Sequence, residues 1–431
     1  MTDLAPTSTY RLQIRPGFPL AEAAALVDYL RDLGVGAVYT SPLLQAATGS
    51  DHGYDTTDPT RLDPARGGQT GLDALLDATR EAGLGLVIDI VPNHLGVAEA
   101  HENPAWWDVL ARGQESPYAR WFDIDWSRGR VVLPILGDDA TLEVVEGELR
   151  YYEHRFPLAE GTWTPGEDAE TVHAKQHYEL VGWRRANDEL NYRRFFAVTT
   201  LAGVRQEDEE VFAATHVRVA DWAATGVTGL RIDHPDGLAD PAQYLERLRA
   251  LAPEAWILVE KILEHGEVLP PWPVAGTTGY DALAEAGGVF VDPGAEEEFT
   301  TLYTELTGDT RDIAAHVEAG KRLVVEELLP AERRRMAALA PEVPDAEEAV
   351  GELAVAFGVY RSYVPDGMGD LDAALARAEQ RRPDLAPALA ALSPRLRDPE
   401  DELAVRMQQL SGATMAKGTE DTAYYRYARF V

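Results

Sequence analysis

Between Pro19 and Pro42 the apolar positions Leu20, Ala23, Val27, Leu30 and Leu33 fall at helical spacing. Glycines at 34 and 36 end that run, and a short apolar strand, AVYTSP, follows. The same design recurs from Gly71 to His94, where Leu72, Leu75, Leu76 and Thr79 share a helix face, Gly83 and Gly85 intervene, and LVIDIVPNH reads as a strand. A third copy runs from Glu209 to His234, with Phe212, Thr215, Val219 and Trp222, then Gly226, then VTGLRIDH. A fourth spans Pro241 to Ile262, with Tyr244, Leu248 and Leu251 before AWILVEKI. Helices alternating with short, continuously apolar strands predict a parallel sheet buried on both faces.

The last three strands end on polar groups: Asp89 with Asn93 and His94, Arg231 with Asp233 and His234, and Glu260 with Lys261. In a (β/α)8 barrel such strand ends converge on one pocket, which favours an α/β fold of the TIM (β/α)8 type. A doubly wound sheet is the rival architecture, but TSPLLQAATGSDHGYD has no GxGxxG turn after the first strand. Two regions break the rhythm. Residues 95–205 show no clear helix-strand unit and hold six of the nine tryptophans, at 106, 107, 121, 126, 163 and 183, so they read as a subdomain inserted after the third strand. Taken singly these tryptophans belong to a core; as a group, one or two are placed to stack on a sugar ring. The Ala-, Glu-, Arg- and Leu-rich stretch from 294 reads as a helical insertion. The expected organisation is therefore barrel over 1–94, inserted subdomain over 95–205, barrel again over 206–293 and helices over 294–431.

Composition narrows the partners. The chain has 39 basic and 73 acidic residues, a net charge of −34, which repels nucleic acid and anionic membrane surfaces. No run approaches the ~20 apolar residues of a membrane span, and no leader pattern opens the chain. The absence of cysteine removes disulfides, thiol nucleophiles and thiolate metal sites, and a cytoplasmic location is expected. No metal or other cofactor is expected either: an HxH cluster is missing, and HAKQH (173–177) lacks the glutamate of HExxH.

Strand side chains alternate, so Arg231 and Asp233 face the same way, into the barrel. A guanidinium beside a carboxylate favours its ionised form, so Asp233 is expected to stay charged. Glu260, at the end of WILVE and near another negative charge, is expected to have a raised pKa suited to a general acid. One ionised and one protonated carboxyl is what retaining glycoside cleavage requires, with Asp233 attacking the anomeric carbon and Glu260 protonating the leaving oxygen.

DIVPNH (89–94), GLRIDH (229–234), VEKI (259–262) and SDHGYDTTDP (50–59) together resemble signature segments of the α-amylase family of glycoside hydrolases, in the expected order. The resemblance implies Asp233 as nucleophile, Glu260 as acid/base and Arg231 as partner. It also implies Tyr54, Asp55, Asn93, His94 and His234 around the cleaved sugar; Lys261, beside Glu260, joins the substrate-binding candidates. Further blocks, STYRLQ, QHYELVGWRRANDELNYRRFF (176–196), IDHPDGLADP and TMAKGTEDTAYYRY (414–427), are similar to a transglycosylating branch of that family. That branch converts the reducing-end α-1,4 linkage of a maltooligosaccharide, or of a glycogen-derived glucan, into an α,α-1,1 linkage, in a pathway shared with a trehalohydrolase.

The family pattern also expects an aspartate in a later His-Asp pair, and no such dipeptide occurs in this chain. About six of the eight staves of a closed barrel can be placed. The barrel is therefore expected to be incomplete, its last strands belonging to a longer or a second chain, and the chain alone to be poorly active. An ordinary α-1,4-glucan hydrolase, a maltooligosyltrehalose hydrolase and a noncatalytic maltooligosaccharide-binding relative remain alternatives.

Overall fold

The computed structural model describes residues 5–430. Six strands form one sheet, here β1 (Thr9–Leu12), β2 (Ala37–Thr40), β3 (Gly85–Ile90), β4 (Gly229–Ile232), β5 (Trp256–Val259) and β6 (Gly276–Thr277). They pair in chain order, every pair parallel. This is the TIM-type arrangement with six staves of the eight that a closed barrel uses. The inner staves are rich in β-branched and aliphatic residues, of which Val38, Ile88, Ile232, Ile257 and Val259 are fully inaccessible, whereas β1 at the edge of the sheet exposes Thr9, Tyr10 and Arg11.

The helical repeats form where the apolar spacing places them, with local interruptions. The first is two helices, Leu20–Ala25 and Val27–Leu33, closed by Gly34 in the left-handed region at φ 90°. Leu33 in its last turn stays 55% exposed, so the buried stripe ends at Leu30. The second is a single helix, Gly68–Ala82, burying Leu72, Leu75, Leu76 and Thr79. The third divides at His216, whose ring is spent inside the core on Tyr244 Oη at 2.8 Å. In the fourth, Pro241–Leu251, Asp240 caps the N-terminus by accepting from Gln243 N at 2.9 Å.

Close backbone approach sets one glycine. A Cβ at Gly229 would lie 2.9 Å from Trp256 O and 3.0 Å from Val87 Cγ2, on the two neighbouring staves. Gly229→Ala is therefore expected to cost about 1–3 kcal/mol by overpacking, measured as a lower denaturation midpoint. An unchanged midpoint would show that the staves part without strain.

The 95–205 excursion is more regular than its sequence suggests. It contains a helix, Pro104–Arg112, a parallel pair, Val131–Leu136 with Tyr178–Gly182, and an antiparallel sheet of Glu143–Val145, Glu148–Tyr151 and His154–Pro157. These strands are too short to show alternation. Trp106 anchors its core, edge-on to Phe122 and Tyr192 at 4.8 and 5.3 Å. Trp121 is buried too, whereas Trp183 is 54% exposed and lies under the Arg184 guanidinium. The excursion rejoins the barrel through Val198–Gly203, which pairs antiparallel with His94–Gly96, the segment from which it departs.

By its contacts the chain divides into two compact units. The first is the chain as far as Glu260 together with Pro270–Thr278; the second is Lys261–Leu269 with the residues from Gly279 onward. The second unit is helical, and its core is built on the helix Ala346–Ala356, buried throughout from Ala349 onward, with Phe357, Leu371, Leu392 and Leu403 around it. The AKGTEDTA part of its TMAKGTEDTAYYRY block forms a π-helical segment, Ala416–Ala423. Among the described residues no helix is long and apolar enough to cross a membrane.

Candidate active site

The end of β4 and the ends of its two neighbours hold the titratable groups. The ladder continues one residue beyond each strand: Asp233 N donates to Ile90 O and Glu260 N to Ile232 O, both at 2.8 Å. The backbones that carry these carboxyls are thereby fixed at the strand ends. Arg231 stands in register with Asp89 on β3. Its Nη1 donates to Asp89 Oδ1 at 2.9 Å and to Asp233 Oδ1 at 2.5 Å, so one guanidinium serves two carboxylates. Asp89 is the residue that sequence reasoning noted at a strand end but did not place in the site. Its side chain is wholly inaccessible, and Oδ2 accepts from Tyr39 Oη at 2.9 Å and Tyr54 Oη at 2.6 Å. Arg11 Nη2 in turn donates to Tyr54 Oη at 3.0 Å.

Burial sets the electrostatics. It raises the carboxyl of Glu260 to about 8, reinforced by the charge of Asp233 and opposed by Arg231 and the His234 N–H. Asp89 is pushed up to about 6 by burial, against the pull of Arg231. Asp233 also moves upward, which corrects the expectation that Arg231 alone governs it. Desolvation outweighs the guanidinium, whose charge is shared with Asp89. The two carboxyls differ in surroundings: Asp233 has a cation at 2.5 Å, whereas the largest charge interaction on Glu260 is repulsion by Asp233. Burial pushes the Arg231 guanidinium down, but the charges of Asp89 and Asp233 more than reverse it, and it remains a cation.

The other predicted residues fall into three groups. Tyr54, Asn93, His94 and His234 lie with the cluster. His94 is fully buried, its Nε2 3.0 Å from Tyr54 O, and burial lowers it to about 4, so the ring is neutral. Asn93 Oδ1 accepts from Arg193 Nη1 at 2.6 Å, and His234 N donates to Glu260 Oε2 at 3.0 Å. Asp55 is turned to its own loop, where it accepts from Ser50 Oγ at 2.5 Å and lies 3.9 Å from His52 Nε2. Lys261 belongs to the second unit. Its buried Nζ meets Glu267 Oε1 and Ile262 O, both at 2.9 Å, under the rings of Tyr360 and Tyr363.

Three residues of the NYRRFF block enter where no strand signal pointed. Phe195 packs on His94 at 4.6 Å and on His234 at 5.2 Å, and Phe196 meets the His234 ring at 4.7 Å. Arg193 reaches Asn93, Gly237 O at 3.2 Å and Asp123 Oδ2 at 3.1 Å, binding the excursion to two stave ends. A paired aromatic-charged block of this kind is the only trace they leave in the sequence. Among the described residues no group of three or more His, Asp or Glu is placed to hold a metal ion.

Residues 24–249 match the family model described as alpha amylase, catalytic domain. The chain belongs to the α-amylase family. Among its relatives is a protein of Mycobacterium tuberculosis (strain ATCC 25618 / H37Rv) named "Putative maltooligosyl trehalose synthase", 46% identical over 98% of this chain and 57% of that protein. The solved maltooligosyltrehalose synthase from Arthrobacter ramosus superposes with a TM-score of 0.96 at 53% identity, again covering 98% of this chain and 57% of that one. A maltooligosyl trehalose synthase structure from Sulfolobus tokodaii, titled hypothetical, gives 0.84 at 32% identity, over 99% and 57%. This member of the α-amylase family thus spans 57% of the length of these relatives.

Proposed function

We propose that this chain carries the nucleophile and the acid/base of a retaining α-glucan transglucosylation. In it the reducing-end α-1,4 linkage of a maltooligosaccharide is converted into an α,α-1,1 linkage. The observation that carries the reading is the pairing of Asp233 and Glu260 on neighbouring stave ends, the first bonded to Arg231 and the second raised to about 8. Asp233 attacks the anomeric carbon as Glu260 delivers its proton to the leaving oxygen. Glu260 then takes a proton from the anomeric hydroxyl of the released glucose as that hydroxyl displaces Asp233. Asp89 and the tyrosine hydroxyls hold Arg231 in place for the nucleophile. The preference for transfer over hydrolysis rests on likeness to the trehalose-forming relatives along nearly the whole chain. A glycogen-derived glucan as the source of substrate, a trehalohydrolase acting on the product, and a cytoplasmic location complete the reading.

Incubated with maltopentaose, the full-length gene product is expected to consume reducing ends and yield an oligosaccharide with an α,α-1,1 terminus, read by anomeric proton NMR. A rise in reducing sugar would assign a hydrolase instead, and calorimetric binding without turnover a noncatalytic relative. The pH dependence follows from the two carboxyls. Because Glu260 must hold its proton, kcat/KM should fall above about pH 8; because Asp233 must lose its own, the acid limb should lie above the ordinary aspartate range. A profile flat from pH 7 to 10 would remove Glu260 as the acid.

A further inference from the structure

Two non-glycine residues near the carboxyl cluster are held in the left-handed region, and they touch. Phe196 has φ 49° and His234 has φ 44°, and their rings meet edge to face with centroids 4.7 Å apart. Phe196 opens the two-residue turn between Phe195 and Val198, a position where glycine, asparagine or aspartate is the unstrained choice. A bulky side chain there costs on the order of 1–3 kcal/mol and persists only where something depends on it. His234, strained likewise, is the residue whose backbone N–H donates to Glu260 Oε2 at 3.0 Å. Gly237 leaves His234 little room on another side, since a Cβ there would sit 2.5 Å from both His234 Cδ2 and Asn93 Oδ1.

We infer that Phe196 is a positioning residue, which through its ring on His234 holds the left-handed turn that aims the His234 N–H at the Glu260 carboxyl. The inference rests on the assignment of Glu260 as acid/base and adds a residue from the excursion to that assignment. Strain at 196 is relieved by glycine, whereas the aim of His234 is lost with the ring. Stability and proton delivery should therefore move in opposite directions. The charged and titratable groups facing Glu260 are Asp233 and Arg231 from the end of β4, Asp236 from the following turn, and Asp89 beyond Arg231. Phe196 itself carries no charge, so a change in Glu260 titration on its replacement reports the N–H. That bond favours the ionised carboxylate, and its loss raises the Glu260 pKa further.

The test compares Phe196→Gly with Phe196→Tyr in the full-length protein, using maltopentaose turnover against pH, thermal unfolding, and carbon-13 NMR titration of Glu260 assigned by Glu260→Gln. For Phe196→Gly the expected result is a Tm equal to or above that of the parent, a loss in kcat on the order of 10- to 100-fold with KM nearly unchanged, and an alkaline limb moved upward. Phe196→Tyr, which keeps the ring, should restore both kcat and the limb. A lower Tm with the limb in place would make Phe196 merely structural and overturn the proposal, as would a kcat loss without a pH shift or an unchanged kcat. If the parent shows no turnover, the functional reading fails. The NMR titration then still decides the inference: an upward shift in Phe196→Gly sustains it and an unmoved Glu260 overturns it.

Discussion

Arg231→Met is expected to destabilise the protein by about 3–5 kcal/mol at neutral pH and to abolish turnover, because it leaves two buried carboxylates without their common cation. Methionine fills much the same volume, so the loss reads charge rather than packing. The pH dependence distinguishes the cause. With the guanidinium gone, Asp89 and Asp233 hold protons in the folded state to still higher pH, while in the unfolded chain they ionise near their ordinary values of about 4. The folded state then binds more protons than the unfolded one, and stability falls as pH rises through that window. The defect should therefore shrink as pH is lowered toward about 4, where both states are protonated. Urea unfolding of parent and variant at neutral pH and near pH 4 checks it; a defect of equal size at both would place the cause in packing.

Glu260→Gln has the opposite signature, since it should lower turnover by about 10²- to 10⁴-fold and raise stability. Glutamine cannot give up a proton to the leaving oxygen, yet its carbonyl can still accept from the His234 N–H. The parent carboxyl titrates near 8 when folded and near its ordinary value when unfolded, so between these limits the native state binds the extra proton. Parent stability contributed by this group therefore declines as pH rises from about 4.5 to 8, and the penalty is complete above 8. The variant lacks that decline. The two proteins should unfold at similar temperatures near pH 4 and diverge toward pH 8, the glutamine form being more stable there by a few kcal/mol. Parallel Tm curves would show that Glu260 is not desolvated in solution.

What the sequence disclosed and what it withheld divide along one physical line. The staves and their helices were legible because each is a local pattern, an apolar run or a helical stripe closed by a glycine. Arg231 with Asp233, two apart on one strand, was legible for the same reason. Asp89 joins them only through the register of β3 against β4, a pairing across 142 residues that leaves no mark in either segment. Burial, which tertiary packing supplies and a local pattern does not show, is why the Asp233 pKa rises although Arg231 beside it pulls it down. Tyr39 and Tyr54 reach Asp89 by the same long-range route. The contacts of Lys261 are equally non-local, its Nζ meeting Glu267 under a tyrosine pair about a hundred residues further along the chain. The regular structure within 95–205 escaped because strands of three to six residues carry too few positions for a period to show.

The excursion that departs at His94–Gly96 and comes back through Val198–Gly203 has its two ends zipped side by side, Leu95 opposite Ala202. A clasp of this kind makes the intervening segment a cassette. Doubling its length adds only about 0.6 kcal/mol of closure entropy, borne in the denatured chain rather than by the staves. Natural or engineered variants are thus free to lengthen, shorten or exchange the stretch between residues 97 and 192. The exchange must spare the few residues at its neck, Arg193, Phe195 and Phe196, which touch Asn93, His94, His234 and Gly237 at the strand ends although they are encoded with the cassette.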